Sequence, residues 1–216
     1  MSHRTLPEGF VSASSTIPGD VARRIRLVVF DVDGVLTDAG VYIGSSDDES
    51  VELKRFDIQD GLGMKLLEYD DLKVVWISGR KSPATKRRAD ELSIECHQDS
   101  GARKFAILKG ILEREGLGWN EVAMLADDLP DMAIFTEVGL PGAVGNACQE
   151  ILDVAQWVSG HRGGHGAARQ FCEALLKARG SWDSVVERYV DSRRQATFDG
   201  DTPGAAGSKA GGASDV

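Results

Sequence analysis

The sequence predicts an α/β fold: a Rossmann-like parallel sheet with helices on both faces and a projecting β-hairpin. Three observations carry that reading. Apolar runs of strand length alternate with stretches of helical periodicity along most of the chain. The major apolar runs each stop at a group of polar residues rich in Asp, Ser, Gly or Arg. One pair of β-rich runs with an acidic connector, 41–56, stands outside the alternation. At 216 residues the chain can bury one good core and is short for two.

Residues 1–22 mix Ser, Gly, Pro and Thr without periodicity and are expected to be a flexible leader. Arg23, Arg24 and Arg26 then read as a solvated strand entrance rather than a nucleic-acid patch. The four apolar residues Leu27-Val28-Val29-Phe30 form a buried strand, closed by Asp31-Val32-Asp33-Gly34. Runs 41–43 and 51–56 flank an acidic tip and predict the hairpin; the tip lacks calcium-loop spacing and reads as a solvated turn. A glycine-punctuated turn, 57–63, opens a helix over 64–68.

The run 73–77 is a second buried strand, ending in Ser78-Gly79-Arg80. Ser82 as N-cap and Pro83 at the first position predict a helix over 83–92. A short strand, 93–97, precedes a helix over 102–115 with Phe105, Leu108, Ile111 and Leu112 on one face. The strand 121–126 ends in Asp127-Asp128-Leu129-Pro130-Asp131, with a helix following to 138. Short strands at 143–144 and 155–158 bracket a helix over 149–154. Gly163-Gly164-His165-Gly166 opens an amphipathic helix whose inward side holds Cys172, a core residue rather than a nucleophile. The domain 23–180 would be followed by a C-terminal helix, 181–198, and a disordered tail, 199–216.

Composition narrows the function. A formal charge of −9 argues against nucleic acid or an anionic membrane surface as partner, and makes an anionic substrate dependent on a local cation. Three cysteines without CxxC spacing, and no apolar run of about 20 residues, predict a cytoplasmic protein without a structural zinc. The four histidines show no metal-helix spacing.

In an open α/β sheet, ligands bind beyond the carboxyl ends of the strands. Three of the four strand-end groups that would meet there are Asp31 with Asp33, Ser78 with Gly79 and Arg80, and Asp127 with Asp128 and Asp131. Lys104 comes from the helix after the third sheet strand. Taken singly, each has an ordinary explanation: an acid-rich turn, a capping serine, a surface lysine, a helix cap. Their order is what points to phosphoryl transfer. Asp31 would be the nucleophile, since a carboxylate can accept a phosphoryl group and be hydrolysed free. Asp33 would protonate the leaving alkoxide and then activate water. Ser78 and Lys104 would bind the transferring phosphate. Mg²⁺, a hard ion that takes carboxylates, waters and phosphate oxygens, would sit on Asp31 and Asp127.

With these pieces in order, the chain resembles the haloacid dehalogenase superfamily of phosphohydrolases over about 25–160, in a version without a cap domain. Asp31 to Asp38, Phe56 to Gly63, Ile77 to Arg80, Asp127 to Asp131 and Gly163 to Arg169 together resemble one branch, the 3-deoxy-D-manno-octulosonate 8-phosphate (Kdo-8-phosphate) phosphatases. The resemblance implies Mg²⁺ held by Asp31, the backbone carbonyl of Asp33, and Asp127. It implies a homotetramer whose hairpins form a central barrel, and a glycine-rich segment with Arg169 reaching toward a neighbour's active site. Two positions depart from the branch: Ala126 stands where glycine is usual, and Gln170 where glutamate is usual.

The gaps agree with a capless enzyme. About 44 residues separate Asp33 from Ser78, and a hairpin and one helix occupy them. Phosphoryl chemistry benefits from excluding water, so a partner subunit would supply the cover. A sugar-acid phosphate substrate would be gripped by Arg80 and Arg88, since arginine binds carboxylates bidentately, with Asp60 and Arg169 as further candidates. Arg88 also belongs to the basic run 86–88, which reads equally as a solvated face. Two alternatives stand beside Kdo 8-phosphate: a nine-carbon, sialic-acid-type 9-phosphate, and a non-catalytic tetramerising domain supporting a cytidylyltransferase. The intact acidic set argues against the last.

Overall fold

The computed structural model describes residues 16–46, 49–101 and 103–195. In chain order the elements begin with α1 (Gly19–Arg24), β1 (Leu27–Phe30) and the hairpin strands β2 (Tyr42–Ser46) and β3 (Glu49–Leu53). Then come α2 (Ile58–Glu68), β4 (Lys73–Ser78), α3 (Pro83–Glu91), β5 (Glu95–Gln98) and α4 (Lys104–Glu115). The rest is β6 (Val122–Ala126), a 3₁₀ turn (Leu129–Asp131), α5 (Met132–Phe135), β7 (Leu140–Ala143), α6 (Gln149–Val154), β8 (Trp157–Val158), α7 (Ala167–Arg179) and α8 (Trp182–Gln195).

Six strands form one parallel sheet in the order β5-β4-β1-β6-β7-β8, with helices packed on it as the alternation predicts. β1 lies between β4 and β6, so Val29 faces Val75 on one side and Met124 on the other. Every residue of β1 and β6 is buried, which is why both read as unbroken apolar runs. Chain order reverses across β1, and the carboxyl ends of β1, β4 and β6 meet there. The hairpin β2–β3 forms a separate antiparallel pair, tied to the body through a bridge between Thr37 and Phe56.

Several expectations shift. The leader is not loose throughout: α1 begins within it and runs past its end, Ile17 and Ala22 enter the core with Ile25 just after the helix, and Arg179 donates to the Ala22 and Ile25 carbonyls. Residues 1–15 lie outside the described residues, as do 196–216 with the predicted tail and the last residues of the predicted C-terminal helix. α2 starts at Ile58, six residues earlier than glycine content suggested. Its glycines serve close packing. A Cβ at Gly61 would lie 2.8 Å from Arg88 Nη2, and one at Gly63 would lie 3.0 Å from the Arg169 Cα. The helix after Asp131 closes at Phe135 rather than 138, and the strand expected at 143–144 begins at Leu140. In α4, Phe105 is not inward; it stacks on Trp119 with centroids 4.9 Å apart, and Lys104 takes the buried position instead.

Candidate active site

A cavity of about 230 Å³ opens beyond β1, β4 and β6, lined by Asp31, Asp33, Gly79, Arg80, Lys104, Asp127, Asp128, Pro130 and Asp131. Asp31 follows β1 directly and is 4 % exposed. Lys104, at the first turn of α4, is 3 % exposed and donates to Asp31 Oδ1 at 2.6 Å and to Asp131 Oδ1 at 2.9 Å. A buried lysine is tolerated only with such partners. Asp131 is the member that sequence reasoning left without a role. The signal was present, since it stands four residues after Asp127 across a 3₁₀ turn that brings it back toward the strand end.

Asp31, Asp127 and Asp131 each offer an oxygen within 4.8 Å of the others. Fully ionised, three carboxylates against the one ammonium that bridges two of them would carry a net charge of −2, and their proton affinities rise in response. Burial raises Asp31 above the ordinary aspartate range, and the Lys104 charge offsets only part of it. Burial and the neighbouring Asp31 and Asp131 push Asp127 up to about 8. Burial and Asp31 push Asp131 up to about 7, against the pull of Lys104. For Lys104 burial acts downward, but Asp31 and Asp131 outweigh it and hold the ammonium charged.

This set fits a divalent cation. The donors are all hard oxygens, as Mg²⁺ requires. Asp131 Oδ2 is buried with no hydrogen-bond partner among the described residues, an acceptor left for a cation or its water. Gly34, at φ +106°, keeps the loop close: a Cβ there would lie 2.0 Å from Asp127 Oδ2.

Asp33 lines the same cavity, with 21 % of its side chain exposed. Its Oδ1 accepts from Lys54 Nζ at 2.5 Å, and its Oδ2 lies 3.1 Å from Ser78 Oγ. Ser78 is fully buried beneath the cavity rather than on its lining, and its hydroxyl also accepts from the Arg80 amide. Lys54 was missed because it read as one polar residue of a hairpin strand.

The substrate candidates separate. Arg80 stands at the mouth, its side chain 46 % exposed and paired with Glu52 at 3.2 Å. Arg88 pairs with Glu91 at 2.8 Å and lies over Gly61, away from the cavity lining. Asp60 is 2 % exposed and caps α7, accepting from the Arg169 amide at 2.7 Å. The Arg169 side chain pairs with Glu173 in a different cavity of about 660 Å³, so Asp60 and Arg169 do not meet Asp31 within one chain.

The start of the glycine-rich segment packs on the loop after β1 of its own chain. Gly163 sits so near the loop after β1 that a Cβ would lie 1.6 Å from the Gly34 carbonyl oxygen. Gly164 donates to the Val35 carbonyl at 2.9 Å. Gln170 keeps an acceptor where glutamate is usual: its Oε1 lies 2.6 Å from Ser159 Oγ and accepts from the Gly160 amide at 2.9 Å. Ala126 is fully buried and pairs with Ala143 of β7, so its methyl is packed in the core.

No family model matches the chain. The Kdo-8-phosphate phosphatase KdsC of Escherichia coli K12 is 35 % identical over 169 residues, covering 78 % of this chain and 88 % of that protein. Among solved structures, the Kdo-8-phosphate phosphatase of Moraxella catarrhalis, in complex with a magnesium ion, a phosphate ion and Kdo, superposes with a TM-score of 0.74. It is 33 % identical and covers 79 % of this chain and 97 % of its own. The cobalt-bound phosphatase of the same name from Haemophilus influenzae gives a TM-score of 0.68 at 30 % identity, over 75 % of this chain and 93 % of its own. With its acidic centre, parallel sheet and these relatives taken together, the chain belongs to the Kdo-8-phosphate phosphatase (KdsC) family of the haloacid dehalogenase superfamily.

Proposed function

We propose that this protein hydrolyses Kdo 8-phosphate to Kdo and inorganic phosphate through an aspartyl-phosphate on Asp31. The observation that carries the proposal is the buried, all-oxygen cluster of Asp31, Asp127 and Asp131 on Lys104, with Asp33 on the same cavity, in a chain of this family. Asp31 attacks phosphorus as the ester P–O bond breaks, and Asp33 gives its proton to the departing alkoxide. Asp33 then takes a proton from the water that attacks phosphorus, and the Asp31–phosphorus bond breaks to release phosphate. Lys104 orients Asp31 and balances its charge, and Ser78 braces Asp33. Mg²⁺ would be held by Asp31, Asp127 and the Asp33 backbone carbonyl, with Asp131 beside it; bound there, it neutralises charge on the phosphoryl oxygens.

Arg80, at the mouth of the cavity, is the residue of this chain for the sugar-acid carboxylate. Arg88 and Arg169 would contribute to substrate binding only by presenting their surfaces to a neighbouring subunit, and Asp60, buried, only by holding the start of α7 that carries Arg169. That requires the homotetramer. The hairpin supports it, since Tyr42, Ile43 and Leu53 are each more than 60 % exposed, an unusual load of apolar surface for two strands. Three cysteines, none in a disulfide, fit a reducing cytoplasm.

Phosphate release should be measured from Kdo 8-phosphate, a nine-carbon sugar-acid 9-phosphate and simple phosphate esters, with and without Mg²⁺. Kdo 8-phosphate should be turned over best, and only with the metal. A rate no better than that for a generic ester sinks the specific reading. No turnover of any ester by folded protein sinks the enzymatic one and favours a non-catalytic assembly domain.

A further inference from the structure

We infer that Lys54 is the positioning residue of the acid/base step, holding the Asp33 carboxylate in place from the projecting hairpin. The inference deepens the proposed function and rests on the role given there to Asp33. Along the end of the hairpin, residues alternate between outward and inward. Val51, Leu53 and Arg55 are exposed, while Glu52, Lys54 and Phe56 turn toward the body. Each inward residue has a different partner. Glu52 takes Arg80 and Ser82, Lys54 takes Asp33, and Phe56 stacks on Trp76 with centroids 6.2 Å apart.

The Lys54 side chain is fully buried. Its ammonium has three groups to meet: Asp33 Oδ1 at 2.5 Å, Thr85 Oγ1 at 3.3 Å and Glu52 Oε1 at 3.8 Å. The first two are hydrogen bonds and the third an ion-pair contact, so the nitrogen is held from three sides. A carboxylate otherwise turns freely about its last torsion, which is broad. Here Lys54 pins Oδ1 and Ser78 meets Oδ2, so the carboxyl plane is set from both sides. Each oxygen keeps a further lone pair, and the group still lines the cavity. Such orientation is what a positioned acid/base needs, because small displacements of a catalytic group carry large rate penalties. A purely structural ion pair would not have to hold the one carboxylate that faces both the cavity and the serine below it.

The test is Lys54→Met in the full chain, compared with the parent on Kdo 8-phosphate and on p-nitrophenyl phosphate. Acetyl phosphate replaces the latter if the parent does not turn it over. Both reagents have leaving groups that need no proton, so they separate the two halves of the reaction. With the sugar phosphate, kcat should fall on the order of 10²-fold, with KM within about threefold. With the activated ester, formation of aspartyl-phosphate should stay fast while its hydrolysis slows, giving a rapid burst near one leaving group per site. A kcat within about threefold of the parent overturns the inference, and so does a loss without a burst.

If Lys54→Met does not fold, Thr85→Val decides. Thr85 is fully buried and valine is close in shape, so the change removes one anchor of Lys54. It should show a smaller fall with the same burst, and parental kinetics overturn the inference. A parent that hydrolyses the activated ester but not Kdo 8-phosphate would refute the substrate assignment while leaving the Lys54 comparison intact.

Discussion

Asp60 offers a measurement in which burial, capping and proton affinity predict one curve. Its carboxylate is 2 % exposed, accepts from the Arg169 amide at 2.7 Å, and leaves Oδ2 without a hydrogen-bond partner among the described residues. Burial raises its pKa from 3.8 to about 6, despite backbone donors from the start of α7 that pull the other way. A raised acid binds its proton more tightly in the folded state than in the unfolded one. Stability therefore falls as pH rises from the unfolded value through the folded one. A difference of about 2 pKa units corresponds to roughly 3 kcal/mol, present in full above about pH 7. About half of that change lies between pH 5 and pH 8.

Asp60→Asn keeps an oxygen acceptor for the cap and cannot ionise. Other titrating groups, including the acidic cluster, are common to both proteins and cancel in the difference. Urea unfolding at matched protein and Mg²⁺ concentrations should show the parent losing about 1.5 kcal/mol relative to Asp60→Asn between pH 5 and pH 8. Asp60→Ala should instead be less stable than Asp60→Asn by about 1 kcal/mol at every pH, because the cap is lost. A parent-to-Asn difference that stays flat across pH would refute the claim that burial dominates at this site.

Three further outcomes follow from the same structure. Asp31→Asn should abolish turnover while leaving the fold intact, checked by phosphate release and thermal melting. Retained activity means another nucleophile. Chelating the metal should remove activity and lower Tm, more at pH 8 than at pH 6, because Asp127 and Asp131, at about 8 and about 7, ionise against Asp31 over that range. Equal Tm losses at both pH values would argue against like-charge repulsion as the cause. Gly163→Ala should destabilise by about 3 kcal/mol or more in urea unfolding, since the added methyl meets a backbone carbonyl oxygen at 1.6 Å that cannot rotate away.

The sheet was legible because β1, β4 and β6 are buried on both faces and write themselves as unbroken apolar runs. The acids at their ends were legible for the complementary reason: polar residues at the edge of such runs are costly without a purpose. Lys104 carried a signal that the apolar stripe concealed. With Leu108, Ile111 and Leu112 it occupies the i, i+4, i+7 and i+8 positions, so a charge sits on the buried face of α4 where Phe105 was expected. α2 was underestimated because helix propensity counts Gly61 and Gly63 against it, whereas the close approach of Arg88 and Arg169 requires them. α1 was missed because six residues carry too little periodicity, and its burial depends on Arg179, far away in sequence. Asp60 and Arg169 looked like ligand residues, and their mutual contact across α2 and α7 could only come from the fold.

The hairpin is where local pattern and chemistry depend on each other most. A two-stranded ribbon alone is marginal in water, and this one shares no ladder with the main sheet. What holds it is its inward row: Phe56 on Trp76 and bridged to Thr37, Lys54 on Asp33, Glu52 on Arg80 and Ser82. Those contacts reach three parts of the site at once, the loop after β1, the end of β4 and the cap of α3. The outward row carries the exposed Val51 and Leu53, and only its last member, Arg55, reaches back to the body among the described contacts, donating to the Gly164 carbonyl. The two rows therefore divide the work, one available for association and the other committed to the catalytic loop. In a fold with about 44 residues between Asp33 and Ser78, no separate lid can orient the acid/base, and the segment just after β3 that carries Lys54 is the only one in that interval that reaches Asp33 among the described contacts.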